Sequence, residues 1–156
     1  MNDDDFMRAA IALSHRVMAE GKGGPFGAVI VRDGEIIAEG RNEVTSANDP
    51  TAHAEVSAIR QACRKLGTFA LTDCDIYTSC EPCPMCLSAI YWARLRRMVY
   101  ANAREDAARI GFDDEFLYQE VAKAIDDRTL PTRRLLPDEA IEAFKAWDAD
   151  PDKIPY

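Results

Sequence analysis

Two short runs, His53-Ala54-Glu55 and Pro82-Cys83-Pro84-Met85-Cys86, constrain this chain more than any other feature. Each stands where an apolar-periodic segment begins after a loop or a strand end, so each opens a predicted helix. A fold that sets the two helix starts side by side builds a metal corner. Zinc takes Cys and His ligands tetrahedrally, and a catalytic site uses three of them and leaves the fourth position to water. Cys83 and Cys86, three apart on one helical turn, can point the same way, and His53 supplies the third ligand. Positive helix N-termini favour thiolates and developing negative charge beside the metal. Glu55, on the first turn just past His53, suits a carboxylate that moves a proton rather than one that ligates. Each run is weak alone; together, each opening a predicted helix, they are specific for a metal centre.

Other readings of the same residues compete with this one. A redox Cys-x-x-Cys leaves His53 and Glu55 unexplained. A closed structural zinc site needs a fourth ligand, for which Cys80, Cys74 and His15 are the candidates. A zinc-stabilised interaction module that has lost catalysis would have no use for Glu55. Cys80 ends a strand and has packing as its plainer role, Cys63 lies on an apolar stripe, and His15 lies on a helix flank.

Around the two runs the chain reads as a mixed sheet covered by helices. Residues 5–20 place Phe6, Ala10, Leu13 and Val17 at helical spacing. Residues 27–31 and 35–39 are strands joined by the two-residue turn Asp33-Gly34. A polar loop over 41–50 leads to a helix over 52–66 with Ala52, Val56, Ile59, Cys63 and Leu66 on one stripe, stopped by Gly67. Strand 75–78, helix 83–92 and strand 97–101 follow, then helices 115–124 and 137–147, with strand material around 132–136. A hairpin followed by helix, strand, helix, strand implies a three-layer α/β/α fold with a mixed central sheet.

The chain has 156 residues, which fits one domain. No apolar run approaches the roughly 20 residues needed to span a bilayer. The N-terminal Met1-Asn2-Asp3-Asp4-Asp5 is acidic where a secretory signal would be basic. The five cysteines make an odd set, unlike a disulfide framework, so the expected location is the cytoplasm. The net charge of −8 disfavours a large polyanion as substrate. The basic clusters, Arg94, Arg96 and Arg97, then Arg133 and Arg134, read as solvated surface. A small-molecule substrate is the expectation.

The runs Asp49-Pro50-Thr51-Ala52-His53-Ala54-Glu55 and Ser79 through Trp92 resemble the cytidine deaminase superfamily. Within it, Gly23-Gly24-Pro25-Phe26-Gly27-Ala28, Ala89-Ile90-Tyr91-Trp92-Ala93-Arg94, Gly111-Phe112-Asp113-Asp114 and the terminal Tyr156 are similar to the bacterial guanine deaminases, and the likeness covers essentially the whole chain. The resemblance implies a cytidine deaminase-like fold, with zinc on His53, Cys83 and Cys86 and Glu55 as proton shuttle. It implies attack of a zinc-activated water on C2 of guanine, giving xanthine and ammonia. It also assigns substrate contacts to Asn42, Phe26, Trp92, Asp114 and Tyr156. From local sequence alone Asn42 equally fits an Asx turn, Phe26 and Trp92 read as core residues, and Asp113 competes with Asp114. Guanosine and the adenosine of a tRNA loop are the alternative substrates.

The tail over 146–156 carries Pro151 and Pro155, which deny it regular helix. Composition alone makes such an end a frayed terminus. The resemblance instead implies a homodimer in which a C-terminal segment, from about residue 131, is swapped between subunits and brings Tyr156 to the partner's site.

Overall fold

The computed structural model describes all 156 residues. By internal contacts the chain divides into two compact units, Met1–Tyr118 and Gln119–Tyr156. The first unit is built on a four-stranded sheet in the order β2-β1-β3-β4. Its strands are β1 (Gly27–Arg32), β2 (Glu35–Arg41), β3 (Cys74–Cys80) and β4 (Arg97–Asn102). The first two pairings, β1 with β2 and β1 with β3, are antiparallel, while β3 and β4 run parallel. The hairpin turn forms as the sequence predicts, with Asp33 at φ 51° and Gly34 at φ 78°, the left-handed pair that a two-residue turn requires.

Helix α1 (Asp3–Ala19) covers one face and buries the expected stripe of Phe6, Ala10, Leu13 and Val17. It starts two residues earlier than predicted because Asn2 caps it: the Asn2 side chain accepts from the Asp5 amide, and the Asp5 carboxylate accepts from the Asn2 amide. The acidic first turn is therefore a helix start matched to the helix dipole. Phe6, Ala10 and Leu13 meet Val29, Val31 and Tyr77 in one apolar layer. Asp3 accepts hydrogen bonds from Tyr77 and Arg97, and Arg96 and Arg97 both bond Asp75. Burial alone would push the Asp75 carboxyl up, but these two guanidinium groups hold it below its ordinary value. Two of the three clustered arginines thus serve structure rather than a polyanion.

On the opposite face lie α3 (Ala54–Leu66) and α4 (Pro84–Trp92), giving the three layers. The predicted stripe of α3 is displaced. Ala54, Ala58 and Ala62 are its buried line, while Ile59, Cys63 and Leu66 flank the core partly exposed. The reason is close approach: a Cβ on Gly40 of β2 would stand 2.0 Å from the Ala54 carbonyl oxygen and 2.9 Å from the Ala58 Cβ. Only small side chains let helix and strand come this near.

Further elements escaped the sequence reading. A single-turn helix α2 (Val44–Ala47) interrupts the polar loop, and α5 (Arg104–Arg109) follows β4. Helix α6 (Asp114–Ala122) begins in the first unit. The second unit holds a 3-10 turn (Ile125–Asp127) and α7 (Pro137–Ala149), and its segment around 132–136 is not a strand. With only helical elements in its own unit, that segment has no strand there to pair with. No helix is long and apolar enough to cross a membrane.

Candidate zinc and substrate site

His53 and Cys83 do not enter their helices; each is the N-cap, with extended backbone at ψ 156° and 168°. That conformation turns both side chains out past the helix ends. Pro84 at the first helical position of α4 suits this start, since its missing N–H would be unpaired anyway. Cys86 then stands one turn in, fully buried.

The three donor atoms converge. His53 Nδ1 lies 3.6 Å from Cys83 Sγ and 3.4 Å from Cys86 Sγ. Ligands on tetrahedral zinc, with Zn–N of about 2.0–2.1 Å and Zn–S of about 2.3 Å, stand roughly 3.6 Å apart, so the set fits the ion. It is the single His/Cys/Asp/Glu cluster with such spacing. The candidate fourth ligands go elsewhere: the Cys80 thiol faces the Ala103 carbonyl, the Cys74 thiol faces Asp73, and His15 is exposed. The closed structural site therefore loses its support.

The electrostatics fit cation capture. The hydrogen bond from the Cys86 thiol, helped by His53 and opposed by burial, holds the Cys83 thiol down at about 4. The same bond to the Cys83 sulfur, with burial, pushes Cys86 up. A metal ion binds the deprotonated ligands, so its binding releases protons from this corner. The Cys83 sulfur also raises His53.

Glu55, the second residue of α3, is buried beside this corner and does not belong to the ligand set. Burial pushes its carboxyl up, against hydrogen bonds from its own amide and the Cys86 thiol. A carboxylate raised in this way is suited to taking and returning a proton.

The corner opens into a cavity of about 490 Å³ lined by Phe26, Asn42, His53, Glu55, Cys83 and Asp114, among others. The loop before β1 approaches it closely, and a Cβ on Gly23 would stand 2.0 Å from the Asn42 carbonyl oxygen. Asn42 is buried and lines the cavity. Its Oδ1 accepts from the Val44 amide, closing an Asx turn, and from the Gly24 amide. These two bonds engage the oxygen of the amide and not its NH2.

The two acidic candidates separate. The Asp113 carboxylate accepts from the Phe116 amide and caps α6, whereas Asp114 lines the cavity. Burial, and then the negative Cys83, raise the Asp114 carboxyl. Trp92 is not brought to the cavity within this chain. It ends α4 far from the metal corner, 61% exposed, with the Arg94 guanidinium 5.9 Å from its ring centroid. Tyr156 belongs to the second unit and is 76% exposed.

Sequence reasoning missed Phe112 and Glu81 as lining residues. Phe112 meets Phe26 edge to face, with centroids 4.9 Å apart at 85°. The signal was its place beside Asp113-Asp114, within a run read only for its acids. Glu81, between Cys80 and Pro82, passed as a spacer.

A three-ligand thiolate–imidazole corner with an unligated buried carboxylate, opening on a cavity, defines a zinc-dependent hydrolytic enzyme. The chain belongs to the cytidine and deoxycytidylate deaminase family, whose zinc-binding region matches residues 1–102. It is 53% identical to a guanine deaminase of Bacillus subtilis (strain 168) over 156 residues, 100% of both chains. A crystal structure of guanine deaminase from Bacillus subtilis superposes with a TM-score of 0.97 at 53% identity, covering 100% of this chain and 99% of that one. A tRNA-specific adenosine deaminase of Aquifex aeolicus (strain VF5) is 40% identical over 101 residues, 65% of this chain and 66% of that protein.

Proposed function

We propose that the chain is a guanine aminohydrolase of purine metabolism, releasing ammonia and xanthine. The observation that carries this reading is the cavity in which Glu55 stands beside the metal corner while Asn42 and Asp114 offer a donor and an acceptor. The full-length likeness to a guanine deaminase supports it beyond residue 102, where Phe112 and Asp114 lie.

Bound zinc supplies the Lewis acidity that makes water a usable nucleophile near neutral pH. Glu55 takes the proton of that water and passes it to a ring nitrogen, which makes C2 more electrophilic. As the water oxygen bonds to C2, its second proton passes through Glu55 to the 2-amino nitrogen, the C2–N bond breaks, and ammonia leaves with the oxygen kept as the C2 carbonyl of xanthine. Asp114 accepts from the guanine N1–H and 2-amino edge, the Asn42 amide donates to an acceptor of the base, and Phe26 with Phe112 gives the ring an apolar wall.

A site of buried polar contacts rejects analogues that leave those groups unpaired. Measured by ammonia release, guanine should exceed guanosine, adenosine, cytosine and cytidine by roughly 100-fold or more in kcat/KM. Asp114→Ala should remove most guanine turnover while zinc content stays near one per chain. Comparable turnover of adenosine in a tRNA loop would overturn the reading, and preference for guanosine would make the nucleoside the substrate.

The C-terminal segment, from about residue 131, is read as swapped between the subunits of a homodimer. Its support is apolar surface: Leu135, Phe144 and Ile154 are 63%, 74% and 70% exposed, and a monomer rarely leaves large apolar groups uncovered together. A partner's Tyr156 over the cavity would keep water from the base and leave little room for a ribose. Deleting residues 153–156 should cut guanine turnover without releasing zinc. Mixing that chain with a Glu55→Gln chain should partly restore activity, because each supplies what the other lacks; a fully active truncated monomer would refute the swap. Five free thiols and a thiolate metal site suit a reducing compartment, which supports cytoplasmic residence.

A further inference from the structure

Helix α6 carries Asp114 at its first position, yet none of its residues is buried. The contacts that tie the start of α6 to the rest of the first unit are largely polar. These converge on Arg104, the first residue of α5. One oxygen of Glu81 accepts from the Arg104 amide at 3.0 Å, and the other accepts from the guanidinium Nε at 3.2 Å and pairs with its terminal nitrogen at 3.1 Å. The remaining arm of the guanidinium reaches Glu115, next to Asp114, at 3.4 Å. Its plane stands 4.0 Å over the ring centroid of Tyr118. Tyr118 lies one turn after Asp114, on the same face of α6, and its hydroxyl donates to the Pro82 carbonyl at 2.8 Å. A rigid planar fork can hold a carboxylate on one edge, a second carboxylate on another and a ring on its face; a lysine cannot.

We infer that Arg104 is a positioning residue for base recognition: it clamps the start of α6 to the strand end bearing Glu81 and so fixes where Asp114 stands in the cavity. Arg104 touches no substrate in this arrangement and acts through Asp114. The inference rests on the reading that Asp114 holds the guanine edge.

A double-mutant cycle in the full-length, zinc-loaded protein tests it, with Arg104→Met, Asp114→Ala and the pair, reading kcat/KM for guanine together with zinc per chain. Arg104→Met should keep its zinc and lose roughly 10- to 100-fold, the scale of a displacement of about 1 Å at a recognition contact. In the Asp114→Ala background the same change should cost almost nothing, because the group it positions is gone. Arg104→Lys should recover part of the loss, and it goes through the same cycle if Arg104→Met does not fold. Losses that multiply in the double variant, an Arg104→Met enzyme as active as the parent, or zinc lost from it would each overturn the inference. An Asp114→Ala enzyme with full guanine turnover would overturn the base-reading role first, and this inference with it.

Discussion

Glu55→Gln should leave a folded protein with about one zinc per chain and guanine turnover reduced roughly 100- to 10,000-fold, the range assigned to a positioned general acid–base group. The amide keeps the shape and the hydrogen-bonding length of the carboxyl, and Glu55 is outside the ligand cluster, so the metal corner has no reason to loosen. What disappears is the proton carrier. Burial raises the Glu55 carboxyl above its ordinary value. Metal analysis by mass spectrometry and ammonia release on the same preparation separate the two effects. Near-normal turnover by the Gln enzyme would show that another group moves the proton.

Cys86→Ala should abolish activity by a different route, dropping zinc below about a tenth of stoichiometric, since a three-ligand site cannot hold the ion with two. Cys86 is fully buried, and its sulfur is one of the three donors of the metal corner. Zinc that binds the folded state alone stabilises it by mass action. The parent's melting temperature should therefore fall when a chelator is added and recover with zinc. The Cys86→Ala melting curve should ignore both additions. A variant that keeps stoichiometric zinc would mean that the ligands are other than His53, Cys83 and Cys86.

Much of this was legible because local rules and tertiary demands agree. A short apolar run over 27–31 and the Asp33-Gly34 turn announce the hairpin, and the spacing of Phe6, Ala10, Leu13 and Val17 announces the face that α1 buries. The displaced stripe of α3 shows where such reading fails. Sequence periodicity ranks large apolar residues as the buried ones, but the Gly40 contact selects alanines, and a glycine on a neighbouring strand cannot be weighed from the helix alone. The strand expected around 132–136 fails for a related reason. Strand propensity takes effect only where another strand offers its hydrogen bonds, and the unit of residues 119–156 contains none.

The sequence by itself determined the metal corner: a Cys-x-x-Cys on one helix start and a His-x-Glu on another carry their chemistry in residue type and spacing, which no packing detail alters. It also determined the class of reaction, because an acid two residues past a ligand has one evident use. Tertiary structure alone decided which groups line the cavity. That Asp114 rather than Asp113 faces the cavity depends on which of two adjacent carboxylates is spent capping α6. That the Asn42 oxygen is engaged depends on two backbone amides, one from a distant loop. The roles of Phe112, Glu81 and Arg104 arise from contacts between residues 11 to 86 positions apart, such as Phe26 with Phe112, Glu81 with Arg104 and Arg104 with Glu115. Such contacts exist only after the sheet has brought the loops at one end of its strands together, which is why they leave no local pattern to read.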